Sequence, residues 1–128
     1  MDKTILVVED LAELRDIYKQ TLENAGYKVL LASHDTDAFD LFFKHKPKVV
    51  IMDLNLGPNS LPGNEVCKQM IAIAPGAKVI CASGNFEMFE PDYGFKNGFC
   101  AVVSKPVTSA ELLRVVGESF DEFEKTTK

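Results

Sequence analysis

Arginine is nearly absent, with Arg15 and Arg114 the only two in 128 residues. Nineteen acidic against fourteen basic residues leave a formal net charge of −5. Neutralising a phosphate backbone takes clustered basic groups, so this balance argues against nucleic acid as a partner and, by the same reasoning, against an anionic membrane surface. Cysteine is scarce too. Cys67, Cys81 and Cys100 are odd in number, widely spaced and set in apolar stretches, which predicts buried thiols in a reducing compartment and offers no zinc spacing. His34 and His45 have no partner at ligand spacing and read as surface residues. Long apolar runs are missing as well. Ile5–Val8 gives four apolar residues before Glu9 and Asp10, too few for a signal peptide, and no run approaches a membrane span. The expectation is a cytoplasmic chain folded as one domain over residues 1–128, without internal repeat or linker.

What is present points to an α/β domain. Hydrophobic residues make up 46% of the chain, enough for a core of ordinary size without staples. Short apolar, β-branched runs recur at Ile5–Val8, Val29–Ala32, Val49–Met52, Val79–Ala82 and Ala101–Val103, and each has strand length. Between them apolar residues repeat at helical spacing. Leu11, Leu14, Tyr18 and Leu22 form one face that ends at Gly26; Ala38, Leu41 and Phe42 mark a second helix opening near Ser33 or Asp35. Val66, Met70 and Ile73 mark a third, stopped by Pro75-Gly76. Thr108-Ser109-Ala110-Glu111 fits a capping box ahead of the stripe Leu112, Leu113, Val116, Phe120 and Phe123. Pro91 and Gly94 weaken the stretch Asn85–Asn97 as a helix, and Glu122–Lys128 reads as a loose tail. Strands that are apolar throughout and alternate with helices predict a five-stranded parallel sheet, doubly wound, with both faces covered.

In such sheets the functional site lies beyond the carboxyl ends of the strands. Glu9 and Asp10 follow the first apolar run, Asp53 the third, Ser83 the fourth, and Lys105-Pro106 the fifth. The second run ends at Ser33-His34, as an edge strand away from the site would. Three converging carboxylates repel one another by about 4 kcal/mol per pair at 4 Å and an effective dielectric near 20. A lysine can offset one charge, and an all-oxygen cluster also suits a hard divalent cation, most simply Mg2+. Phosphoryl transfer to a carboxylate needs a nucleophile, a metal, a further cation and a hydroxyl donor, and the strand ends supply candidates for each.

Taken in order, Val7-Val8-Glu9-Asp10 with Arg15, Val50-Ile51-Met52-Asp53-Leu54-Asn55-Leu56, Ala82-Ser83-Gly84 and Ser104-Lys105-Pro106 resemble the receiver domains of two-component response regulators across essentially the whole chain. The resemblance implies a flavodoxin-like (βα)5 fold. It implies that Asp53 is the phosphoacceptor, taking its phosphoryl group from the phosphohistidine of a histidine kinase or a histidine phosphotransfer protein. It implies Mg2+ held by Asp10, Asp53 and the backbone carbonyl of Asn55, with Glu9 acting directly or through water. Lys105 would pair with one phosphoryl oxygen, Ser83 would hydrogen-bond another, and the bond before Pro106 would be cis. The implied protein is a signalling switch, not an enzyme, controlling a downstream protein or passing phosphate along a phosphorelay.

Two positions depart from the family. The loop between Asp53 and Gly63, through Gly57-Pro58-Asn59-Ser60-Leu61-Pro62, is two residues longer than such domains usually have. Val102 stands where an aromatic switch residue is common, so a phosphorylation signal would spread differently or through Phe86, Phe89, Phe95 or Phe99. Both departures would suit an interaction module of the same fold that works without phosphorylation. A free-standing phosphatase is a poorer fit, because its second acid, two residues after the nucleophile, is here Asn55.

Overall fold

The computed structural model describes residues 3–84 and 92–126, without the side chains of Phe95 and Thr126. The elements in chain order are β1 (Thr4–Val8), α1 (Ala12–Asn24), β2 (Lys28–Ala32), α2 (Asp35–His45), β3 (Val49–Met52), α3 (Gly63–Ile73), β4 (Lys78–Ser83), α4 (Tyr93–Asn97), β5 (Ala101–Ser104) and α5 (Ser109–Thr126). All five strands pair in parallel in the order β2-β1-β3-β4-β5. Successive side chains of β1 and β3 therefore enter opposite faces. Ile5, Val7, Val49 and Ile51 pack with Tyr18 and Leu22 of α1 and with Leu112, Val116 and Phe120 of α5. Leu6, Val8, Val50 and Met52 pack with Phe42 of α2, Val66 and Met70 of α3, and Tyr93 of α4. A strand buried on both faces is apolar on both, as β1 is from Ile5 to Val8.

Local signals set the ends of the elements. Gly26 follows α1 with φ +96°, a conformation that a side chain disfavours. At α5 the Glu111 N–H donates to the Thr108 hydroxyl at 3.1 Å, the forward half of the expected cap. The Lys105–Pro106 bond is cis. Among the described residues no helix is long and apolar enough to cross a membrane.

Three expectations need correction. Leu11 is not on the buried face of α1: it sits in extended conformation ahead of the first helical residue and is 59% exposed. The tail is not loose to Glu122, because Phe123 extends the apolar stripe and lies beneath the Lys48 ammonium at 5.3 Å, carrying α5 to Thr126. Cys67 and Cys81 are buried, but Cys100, just ahead of β5, is exposed, with its thiol 3.5 Å from the Ser119 hydroxyl. Of the weak stretch Asn85–Asn97, the described part is Asp92 and the five-residue α4; Phe86, Phe89 and Pro91 lie outside the described residues, as does the Phe95 side chain.

Candidate functional site

Parallel register brings the strand ends level. Val8 pairs with Ala32 on one side and Met52 on the other, Met52 pairs with Cys81, and Ser83 with Ser104. The ladder continues one step past the strands: Glu9 N–H donates to Ala32 O, Asp53 N–H to Val8 O and Lys105 N–H to Ser83 O, at 3.0, 3.0 and 3.1 Å. The residues that follow β1, β3 and β5 are thus fixed by backbone bonds before any side chain interacts. The site lies where the chain order reverses, with β2 on one side of β1 and β3 on the other.

Glu9 is the most buried charge of the group, at 1% exposure. Its two oxygens are separately occupied. The Lys105 ammonium crosses the ends of β4 and β3 to donate to Oε1 at 2.5 Å, and the Leu11 N–H donates to Oε2 at 3.3 Å. The same ammonium lies 3.4 Å from Asp53 Oδ1. Asp53 is buried, and Asn55 N–H donates to its Oδ1 at 3.4 Å. Ser83 is buried at the end of β4. Carboxylate oxygens from Glu9, Asp10 and Asp53 lie within 4.8 Å of one another.

The electrostatics follow from this crowding. Burial pushes the Asp10 carboxyl above its ordinary pKa of 3.8, and the side-chain hydrogen bond and like charge of Glu9 push it further. Burial pulls the Lys105 ammonium down, but the hydrogen bond to Glu9 and the charges of Asp53 and Glu9 together outweigh it, leaving the pKa above the ordinary 10.5. Lys105 is therefore a cation throughout the neutral range. One ammonium against three carboxylates leaves negative charge over, and oxygen-only donors fit a hard divalent cation.

The residues named from sequence meet at this edge: Glu9, Asp10, Asp53 and Lys105 by side chain, Asn55 through its N–H to Asp53, and Ser83 through its carbonyl to Lys105. Sequence reasoning gave no role to four others. Arg15 Nη1 donates to the carbonyls of Glu9 and Asp10 at 2.7 and 3.1 Å, holding the turn that presents both acids. Tyr18 packs beneath the site, and its buried hydroxyl has no hydrogen-bond partner among the described residues. Gly63 N–H donates to Leu54 O at 2.8 Å, and a Cβ on Gly63 would fall 1.8 Å from the Asp53 carbonyl oxygen. Only glycine fits there. Asp35, at the start of α2, bonds the tip of the long loop: Leu61 N–H donates to its carboxylate at 3.1 Å and its own N–H donates to the Ser60 hydroxyl at 3.0 Å. A glycine before a helix and an acid at a helix start are common enough that neither stands out in sequence.

Comparison with known proteins gives a consistent result. The family model described as the response regulator receiver domain matches residues 5–117. Among curated proteins, the chain is 30% identical over 112 residues to the alkaline phosphatase synthesis transcriptional regulatory protein PhoP of Bacillus subtilis, covering 88% of this chain and 46% of that protein. It is 29% identical over 113 residues to the response regulator MprA of Mycobacterium sp., covering 88% and 48%. The chain spans about half the length of these relatives. Among solved structures, a CheY-like response regulator receiver domain protein of Methanospirillum hungatei superposes with TM-score 0.90 at 28% identity, over 98% of this chain and 99% of that one. A receiver domain protein of Clostridium thermocellum superposes at 0.87 with 26% identity, over 98% of both.

Proposed function

The chain belongs to the response regulator receiver family, and from that premise we propose that it is a phosphorylation switch whose phosphoacceptor is Asp53. A carboxylate oxygen of Asp53 forms a new bond to phosphorus as the P–N bond of a phosphohistidine on the upstream kinase or phosphotransfer protein breaks. The departing imidazole keeps the electron pair of that bond. Mg2+ would be held by Asp10, Asp53 and the Asn55 carbonyl, with Glu9 direct or through water, and when bound it offsets the negative charge brought in by the phosphoryl group. The protein's own part is to position and to compensate. Lys105 leaves Glu9 or shares it, and pairs with one phosphoryl oxygen. Ser83 donates its hydroxyl to another. Phospho-Asp53 then favours one of two conformations through these contacts.

The observation that carries this reading is the Lys105 ammonium set between Glu9 and Asp53, with Asp10 completing a carboxylate cluster at the sheet edge. Residues 1–128 act as one receiver domain, and its output is control of a partner protein or transfer of the phosphoryl group along a relay. The test is incubation with Mg2+ and acetyl phosphate, followed by intact mass. A single phosphoryl adduct is expected on the native chain and none on Asp53→Asn. No adduct on the native chain would leave an interaction module that works without phosphorylation, and rapid turnover of unrelated phosphoesters would point to a phosphatase.

A further inference from the structure

The loop after Asp53 is closed at its base and tied at its tip. At the base, Gly63 bonds Leu54 and backs onto the Asp53 carbonyl, while Leu54 and Leu56 are buried in the core beside α2 and α3. Between these fixed points Asn55–Pro62 makes an excursion of eight residues. Its turn begins at Asn55, whose side-chain oxygen accepts from the Gly57 N–H at 3.2 Å, and Gly57 takes φ +93°. The tip is held from outside the loop. The Leu61 N–H donates to Asp35 Oδ2 at 3.1 Å, the Asp35 N–H donates to Ser60 Oγ at 3.0 Å, and the Ser60 hydroxyl donates to the Leu61 carbonyl at 2.9 Å. Asp35 Oδ1 meanwhile accepts from the Thr36 N–H at 2.8 Å, which fixes the carboxylate plane. One aspartate thus joins two backbone amides and a hydroxyl into a closed ring of bonds between α2 and the loop.

We propose that Asp35 is a positioning residue for the phosphoryl site: through Ser60 and Leu61 it holds the Asn55–Pro62 loop so that the Asn55 carbonyl stays preset for Mg2+. This inference rests on the reading given under Proposed function. The physical argument is one of entropy. A loop of this length, free at its tip, samples many backbone states, and a ligand atom near its base has to be ordered at the moment of binding. Three directed bonds at the tip remove most of that freedom beforehand. The anion strengthens them, because a charged acceptor makes the shorter and stronger kind of hydrogen bond. The Leu61 N–H in turn is the largest cause holding the Asp35 carboxyl below its ordinary pKa. The residues that form this ring, Ser60 and Leu61, fall in the loop that is longer than the family's usual one. Added length without a tie would loosen the site.

The test is calorimetric titration of MgCl2 into the unphosphorylated protein, together with amide exchange at Leu61 and phosphorylation by acetyl phosphate across a Mg2+ series. Asp35→Ala is expected to raise the Mg2+ Kd by about 3- to 10-fold, less than the roughly 10- to 100-fold that follows loss of a group bonded directly to a metal ligand, because Asp35 acts through the loop. The Leu61 amide should exchange faster. The half-saturating Mg2+ for phosphorylation should rise by the same factor as the Kd, while the rate at saturating Mg2+ changes far less. Asp35→Asn keeps an oxygen for Leu61 and should recover part of the loss, and Ser60→Ala should weaken Mg2+ in the same direction. An unchanged Kd in Asp35→Ala overturns the proposal, and so does a loss confined to the rate at saturating Mg2+. A native chain that binds Mg2+ but takes no phosphoryl group fails the phosphorylation reading instead, and the Kd comparison still decides the role of Asp35.

Discussion

The carboxylate cluster beside the base of the Asn55–Pro62 loop and the tie at its tip each use an aspartate from another segment, and the two aspartates respond to their surroundings in opposite ways. Asp10, at the base beside Glu9, is pushed above the ordinary carboxylate pKa by burial and by its neighbour's hydrogen bond and like charge. Asp35, at the tip, is held below it chiefly by the Leu61 N–H. At the base, charges of one sign are concentrated and left in excess, which costs stability and suits a cation. At the tip, one charge is satisfied by backbone donors and does no more than hold. The same residue type is reactive in one place and a fastener in the other, and what decides between them is the sign of the nearest partners.

Perturbing the base should therefore have the larger consequences. The largest effect is expected from Gly63→Ala, whose Cβ would overlap the Asp53 carbonyl oxygen. Backbone cannot yield as a flexible side chain does, so a loss of about 3 kcal/mol is expected in urea unfolding, with phosphorylation impaired in whatever folds. A loss below about 0.5 kcal/mol, the range of ordinary surface substitutions, would break the contrast with the tip. Next comes Lys105→Ala. It leaves Glu9 buried with no cation beside it and should cost about 2–3 kcal/mol at neutral pH, discounted because the lysine is partly exposed. Since the folded pKa of Lys105 is raised, the native stabilisation is fully present below the ordinary 10.5 and is lost as pH rises through the folded value. As pH rises from neutral, native and variant stabilities should converge in that range and not before it.

The smallest of the three is a gain. Asp10 binds its proton more tightly folded than unfolded, so its charge lowers stability above the folded pKa, and that penalty fades as pH falls towards 3.8 and below. Asp10→Asn should stabilise the protein by about 1 kcal/mol or less at neutral pH, because the residue is exposed, and the gain should vanish in acid. A loss at neutral pH would mean that the base is not under repulsion, and the comparison with Asp35 would fail.

Much of this was legible in the sequence, and for physical reasons. Strands buried on both faces leave uninterrupted apolar runs, so β3 could be bounded at Val49–Met52 to the residue. Reading the residue after each run then named Glu9, Asp53, Ser83 and Lys105, because in a parallel sheet the strand ends lie level. What escaped were relations between distant residues of ordinary type. Asp35 is an acid at a helix start and Ser60 a serine in a loop, and nothing in either says that they meet. Leu11 matched a helical spacing that the backbone does not continue, since the turn at Asp10 comes first. Phe123 was read both on the stripe and within the loose tail, since acids surround it, and the helix continues through it.

The closure at Leu54 and Gly63 also separates the length of the loop from the stability of the fold. The neck is fixed by a backbone bond and a glycine contact, and Asn55 and Leu56 are anchored beside it, so variation in length falls on the residues between Leu56 and the tie at Ser60 and Leu61. Closing eight residues instead of six costs only roughly 0.3 kcal/mol. A scaffold of this design can take a different loop tip at little cost to folding, provided that Asn55, Leu56 and the tie to Asp35 are kept. The loop is the part of the molecule where novelty is cheapest.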